Sequence, residues 1–170
     1  MKFLTFIFLT TLFYIHIKCN DIAFINIGTI NIYGDEFRMY RKTFYIPRYF
    51  KGNWIDAATI CSSYDLEFAS LHTLEEYNAI VPMLRRVLNF YRDSYYISGI
   101  ALTPLSIDDW YWSSGTRIEY IIPWCPGEPN SHEELCMSLQ WSQNYTNVCF
   151  NDANCSGMAL SFICQKREMF

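Results

Sequence analysis

The spacing of hydrophobic and polar positions changes repeatedly along the chain, and each change predicts an element. Residues 20–42 alternate loosely (IAFINIGTINIYG) and suit an edge strand or a poorly fixed tail. Residues 43–50, TFYIPRYF, have strand composition. Pro47 assigns that strand to a sheet edge, because proline has no N–H to give a ladder. The period then becomes helical. In NWIDAATICSSYD, Asn53 is a suitable N-cap, and Trp54, Ala57, Ala58 and Cys61 recur on one face. Thr73 and Glu76 have capping-box spacing at the start of a second helix. Leu74, Tyr77, Ile80, Val81, Leu84 and Leu88 form its apolar stripe, and Pro82 inside it predicts a kink or a break.

Past YRDSYYISGIAL the pattern turns to short β-like runs, DWYWSSG, IEYIIPW, LCMSLQW and MALSFICQ, separated by Gly, Pro and Ser. Two early helices followed by short strands predict an α+β domain. The stretch from 100 to 155, rich in Pro, Asn and Gly, is expected to carry irregular loops, which are functional more often than not. The opening residues differ from all of this. Lys2 precedes a mostly apolar run from Phe3 to Ile15, and a short polar segment ends near Cys19. That order predicts a secretory signal peptide over 1–19, and the run is shorter than the ~20 apolar residues of a membrane helix. The expected organisation is the signal, an N-terminal extension over 20–42 and one domain over 43–167. The product is expected to be soluble, secreted and extracellular, with no membrane span.

Composition narrows the function classes. At 51% hydrophobic and 18% aromatic residues, the chain has ample material for one core. A net charge of -4 leaves no basic stripe, which argues against nucleic acid or anionic membrane as partner. Of the seven cysteines, Cys19 is expected to leave with the signal. Cys61, Cys125, Cys136, Cys149, Cys155 and Cys164 then predict three disulfides in an oxidising compartment, and spacing alone does not choose the pairing.

The densest chemistry lies in PGEPNSHEELC, Pro126 to Cys136. HEELC has the outline of a zinc-protease helix with the second His replaced by Cys136, but Pro126, Pro129, Asn130 and Ser131 oppose a helix, and an oxidised cysteine ligates no zinc. Glu128 and Glu134 could form a glycosidase-type pair, yet their Asn and Ser neighbours predict a wet site. His72 and His132 have no Ser-His-Asp context, so no enzyme is expected. Calcium takes oxygen donors only. Glu128, Asn130, Glu134, Asn151 and Asp152 would supply them, but Asp108, Asp109 and Asn147 are oxygen donors too. On residue types alone, a solvated acidic loop remains open beside a calcium site.

Taken in order, several segments resemble a C-type lectin domain across 43–166. They are FYI, NWIDAATIC, FASLHTLEE, YYISGIA, WYWSSG, the EPN tripeptide, Cys136, FNDANC in place of WND-x-x-C, and the terminal FICQ. The resemblance implies the C-type lectin fold, with two helices, two small antiparallel sheets and a long irregular calcium-binding loop region. It implies the disulfides Cys61–Cys164 and Cys136–Cys155 and, those granted, a third between the extra cysteines Cys125 and Cys149. Glu128, Asn130, Glu134, Asn151 and Asp152 match the family's ligands for Ca²⁺ and sugar, and a cis peptide before Pro129 would turn Glu128 and Asn130 to the same side. Glu133 and His132 match nothing and are expected to be solvated.

Phe150 stands where the family has Trp, and its ring is expected to pack inward. The family's second calcium position reads Leu102, Ser106 and Leu135 here, so one calcium ion is expected. The implied function is a secreted lectin for mannose-type glycans on microbial or glycoprotein surfaces, because the EPN order goes with equatorial 3- and 4-hydroxyls. The alternative is the same fold binding a protein partner, for which Tyr145 and Trp141 would serve if exposed. Oligomers are possible, through residues 20–42 or the domain itself. Of two glycosylation sequons, Asn144 is preferred over Asn154, whose motif contains a cysteine expected to be bridged.

Overall fold

The computed structural model describes residues 22–33, 39–87, 94–141 and 147–170. The expected signal peptide, Cys19, Leu88, Asn144 and Tyr145 lie outside these residues. Within them the chain runs β1 (Phe24–Tyr33), β2 (Met39–Pro47), α1 (Trp54–Ser63), β3 (Glu67–Phe68) and α2 (Leu74–Val87). It continues through β4 (Tyr95–Ala101), β5 (Trp110–Trp112), β6 (Cys136–Trp141), β7 (Val148–Ala153), β8 (Ser161–Phe162) and β9 (Cys164–Met169). One sheet has the order β1-β2-β9-β3, all antiparallel. The other runs β5-β4-β6-β7, also antiparallel, with β8 added parallel to β4. This is the expected architecture of two helices and two small sheets.

Each helix starts where its cap is. Asn53 Oδ1 accepts from the Asp56 N–H at 2.9 Å, and Asp56 Oδ2 accepts from the Asn53 N–H at 3.1 Å, a reciprocal capping box. Ala57 and Cys61 face inward from α1. In α2, the Glu76 N–H donates to Thr73 Oγ1 at 3.2 Å, but the second half of the predicted box is spent elsewhere. Glu76 Oε2 accepts from Lys42 Nζ at 2.7 Å and from the His72 N–H at 2.6 Å, and Oε1 accepts from the Tyr40 hydroxyl at 3.1 Å. Lys42 and Glu76 are both buried. Burial pulls the Lys42 pKa below its ordinary value, while the facing Glu76 charge pushes it back up. The Tyr40 hydroxyl is pushed up to about 12, by burial and then by Glu76.

Several expectations change against this frame. Pro47 ends β2 in the interior of its sheet instead of marking an edge, since pairing with β9 stops at Tyr45 and no donor is needed at Pro47. The strand begins at Met39, ahead of 43, and residues 24–33 form β1 alongside it. Leu74 is exposed, whereas Tyr77, Ile80, Val81 and Leu84 are buried as the stripe predicts. The helix is not broken at Pro82. Both Pro82 and Asn78, whose carbonyl loses its donor there, are exposed, so water can serve that carbonyl.

IEYIIPW is not a strand. Ile118 and Ile122 are buried and Ile121 is exposed, so the alternation is real, but only isolated bridges at Arg117 and Trp124 join the segment to its neighbours. Pro123 has no N–H, and its carbonyl instead accepts from the Phe150 N–H at 3.0 Å. Gly99 is required by close approach: a Cβ there would stand 2.6 Å from Met137 Cβ on β6. The cysteines are paired Cys61–Cys164, Cys125–Cys149 and Cys136–Cys155. The first spans 103 residues. In the chain-entropy account, constraining the unfolded chain over such a loop stabilises by about 4–5 kcal/mol.

Replacing Lys42 by Met should lower the denaturant-derived unfolding free energy by about 3–5 kcal/mol, because Glu76 keeps a buried charge with no cation opposite it. The pair Lys42→Met with Glu76→Leu should recover most of that loss in the same titration.

Candidate functional site

The EPN segment is positioned by a turn, two disulfides and one carboxylate. Pro126 and Gly127 occupy the centre of a β-turn, with the Glu128 N–H donating to the Cys125 carbonyl at 3.0 Å. Gly127 has φ +93°, the conformation a Pro-Gly turn needs at its third position and a side chain resists. The turn starts beside β7, since the Cys125 N–H donates to the Phe150 carbonyl at 2.8 Å and Cys125 is bridged to Cys149. The far end enters β6 at Cys136, bridged to Cys155 just after β7. Glu128–Pro129 is a cis peptide.

Asp152 then draws the segment in. Its carboxylate is buried on β7, opposite Met137 of β6. Oδ2 accepts from the backbone N–H of Asn130 at 3.0 Å and of Ser131 at 3.1 Å. Oδ1 is also buried and has no hydrogen-bond partner, and Glu128 Oε2 is in the same condition. The Glu128 carboxyl is pushed up to about 7, first by burial and then by its contact with Asp152 and the charges of Asp152 and Glu134. The Asn130 side-chain amide acts the other way, hydrogen-bonding the Glu128 carboxyl. Glu134 is also raised, by burial and then by the charges of Asp152 and Glu133. Glu128 and Glu134 thus both feel the charge of Asp152, with no basic group among the causes of either shift.

Four of the five predicted residues, Glu128, Asn130, Glu134 and Asp152, are thus in electrostatic or hydrogen-bonding contact. Asn151 is placed next to them but turned away. Its Oδ1 accepts from Gln140 Nε2 at 3.1 Å, and its amide N–H donates to the Asp152 carbonyl. Among the described residues, no group of three or more His, Cys, Asp and Glu side chains is set to hold a metal by itself. Amide oxygens have to complete any such set. The donor chemistry suits calcium: oxygens only, two of them buried carboxylate oxygens without a donor.

The competing sites dissolve. His132 and Glu133 are exposed on a turn, and Cys136 is oxidised, so HEELC is no zinc helix. Asp109 Oδ2 is used by the Thr103 hydroxyl at 2.7 Å, and Ser106 Oγ accepts from the backbone N–H of Asp108 and Asp109. Leu102 is exposed and Leu135 packs partly on the core. Asn154 Oδ1 accepts from the N–H of Ser156 and Gly157, holding its sequon in a turn. Trp141 packs partly against the core. Phe150 is buried, its ring stacked on Tyr77 with centroids 5.3 Å apart. Two contributors escaped sequence reasoning. Ser131 serves through its backbone N–H, which no side-chain motif reports, and Gln140 acts from the neighbouring strand β6.

The chain matches no family model. It is 26% identical over 130 residues to the C-type lectin mosGCTL-7 of Aedes aegypti, covering 75% of this chain and 85% of that protein. Its fold matches the C-type lectin domain of murine dendritic cell inhibitory receptor 2, solved in complex with N-glycan, at TM-score 0.61 and 21% identity, over 75% of this chain and 91% of that one. A calcium-independent type II antifreeze protein matches at TM-score 0.54 and 26% identity, over 74% and 85%. The chain is similar to C-type lectins in sequence and has the C-type lectin fold.

The Glu128 shift carries a sign. Its folded pKa, about 7, lies above the ordinary value of 4.5, so the folded protein keeps a proton that the unfolded chain has lost. The stability this contributes is present below about pH 4.5 and is lost as pH rises through about 7. In chelator, the melting temperature of the wild type should fall across that window relative to Glu128→Gln, as followed by circular dichroism.

Proposed function

We propose that this chain is a secreted, calcium-dependent lectin that binds mannose-type glycans at one site formed by Glu128, Asn130, Glu134, Asn151 and Asp152. The observation that carries the reading is the pair of buried carboxylate oxygens, Glu128 Oε2 and Asp152 Oδ1, which have no donor once both carboxyls are ionised. Buried acceptors are rarely left so, and a divalent cation answers both. The similarity to a mosquito C-type lectin and the match to a domain solved with N-glycan support the sugar part of the reading. An apolar run at the amino end and three disulfides support secretion.

The chemistry follows from the hydrogen-bonding capacity of two neighbouring sugar hydroxyls, each with one proton and two lone pairs. Glu128 accepts one proton and Asn130 donates into a lone pair of the same hydroxyl. Glu134 and Asn151 do the same for the second, the Asn151 amide N–H leaving the Asp152 carbonyl to donate and its Oδ1 leaving Gln140 to join the metal's oxygen set. When bound, calcium supplies the Lewis-acidic centre for the remaining lone pair of each hydroxyl. Asp152 holds the Asn130 and Ser131 backbone and takes part only in the metal's oxygen set. Equatorial 3- and 4-hydroxyls, as in mannose, suit this arrangement. A single shallow contact of this kind has a Kd on the order of 1 mM, about -4 kcal/mol.

Retention on mannan-agarose tests the proposal. The protein should bind in millimolar calcium and elute with EDTA or at about pH 4–5, where protonated carboxylates no longer hold the ion. The double substitution Glu128→Gln with Asn130→Asp should shift preference from mannose toward galactose on a glycan array. Retention indifferent to both EDTA and acid would sink the calcium reading. Loss of all glycan binding, with calcium heat still seen by calorimetry, would favour a protein partner for the same loops.

A further inference from the structure

We infer that a cleft at the seam of the two sheets binds one sugar-acid unit, a pyranose ring bearing a carboxylate, without a metal ion. The seam forms at Ala69, whose N–H donates to the Ile163 carbonyl at 2.9 Å and whose carbonyl accepts from the Ser98 N–H at 2.8 Å. Strands β3 and β9 contribute Glu67 and Arg167 to the cleft, and β4 contributes Ser98. Its volume of about 400 Å³ is in the range of small-ligand sites. None of its lining residues comes from the 126–134 segment or from β7.

The lining is rich in hydroxyls for a local reason. In WSSGT, which follows β5, the Gly115 N–H donates to the Trp112 carbonyl and the Trp112 N–H to the Thr116 carbonyl, both at 2.8 Å. Gly115 makes this turn possible at φ +88°, and Ser113, Ser114 and Thr116 on it line the cleft. Deeper in, Ser98 is 1% exposed, and its hydroxyl has no hydrogen-bond partner. Both backbone groups of Ser98 are used, the N–H by Ala69 and the carbonyl by the Ser113 N–H at 2.8 Å. Only the side chain is left over. Buried hydroxyls are rarely left so, and a ligand hydroxyl in the cleft answers this one.

Two charged side chains at the rim set the ligand class. Glu67 and Arg167 are both exposed, and no ion pair joins them. Glu67 is engaged by Gln165, whose Nε2 donates to Oε2 at 2.7 Å. Among the described residues Arg167 lies over the Tyr40 ring, 5.2 Å from its centroid, and makes no hydrogen bond or ion pair. Its donors remain for an acid, and a carboxylate matches the planar guanidinium with two parallel hydrogen bonds. His72 adds no positive charge at neutral pH, because burial and then the Lys42 charge lower its pKa. A metal ion is a poor fit, since the lining offers one carboxylate and also presents a guanidinium. The hydroxyls of Ser98, Ser113, Ser114 and Thr116 both donate and accept, which suits a ring carrying several hydroxyls of its own. This binding does not rest on the calcium reading of the 126–134 segment.

Titrating the disulfide-bonded protein with sodium glucuronate, in EDTA and at fixed ionic strength, tests the inference through amide chemical shifts. Saturable shifts should appear at Ser98, Ser113 and Gly115, with a Kd on the order of 1 mM. Glucose, which has no acid, and sodium sulfate, which has no ring, should each bind roughly tenfold more weakly. Arg167→Gln, at an exposed position, should weaken glucuronate by about tenfold, and Arg167→Lys should recover only part of that loss. Ser98→Ala should weaken it as well. The dispersion of each variant's amide spectrum establishes that it is folded. Retention of Arg167→Gln on mannan-agarose in calcium should match the wild type, so the two sites are tested apart. Glucose or sulfate binding as tightly as glucuronate, unchanged affinity in folded Arg167→Gln, or glucuronate without saturable shifts would each overturn it.

Discussion

One carboxylate, Asp152, decides where the 126–134 segment lies. The segment makes no ladder of its own. Its backbone reaches β7 through the two N–H groups of Asn130 and Ser131 that donate to Asp152 Oδ2. Disulfides at both ends limit how far it can wander but do not orient it. Burying a carboxylate is unfavourable unless donors surround it, and two amide donors satisfy only one of its oxygens. The other oxygen, with Glu128 Oε2, stays unanswered. A fully answered Asp152 would be a latch. A half-answered one is a latch with binding capacity left over.

The contrast with Glu76 shows why burial alone does not make a site. Glu76 is as deeply buried, and it faces an ammonium at 2.7 Å, a phenol hydroxyl and a backbone N–H. Its charge is compensated inside the fold, so nothing remains to be bound. Glu128 and Asp152 face each other with a third acid, Glu134, nearby, and Glu128 rises to about 7 in consequence. The same functional group serves structure in one place and recognition in the other, and the difference is the sign of what stands opposite.

Reading the chain alone located α1, because Asn53, Asp56 and the spacing of Ala57 and Cys61 act within one or two helical turns. The cis peptide before Pro129, implied by the resemblance to C-type lectin domains, is present as well. Reading the chain alone missed β7 as a strand by pattern, since VCFNDA alternates poorly: five of its six residues are buried, on both faces. It mistook IEYIIPW for a strand, because alternation reports which side chains face inward and says nothing about whether a backbone finds a partner. It placed Glu76 in a capping box, because the Lys42 that claims its carboxylate is 34 residues away.

What the sequence determined by itself was therefore the local and the covalent: helix caps, the oxygen-rich residue set and the six cysteines that follow Cys19. Only the tertiary structure decided which of those oxygens would lack a donor, that Asn151 would turn to Gln140, and that two backbone N–H groups would meet a carboxylate more than twenty residues on. The physical reason is that hydrogen-bond satisfaction and charge compensation belong to a surrounding shell. That shell is assembled from distant segments of the chain, so no single stretch of residues carries it.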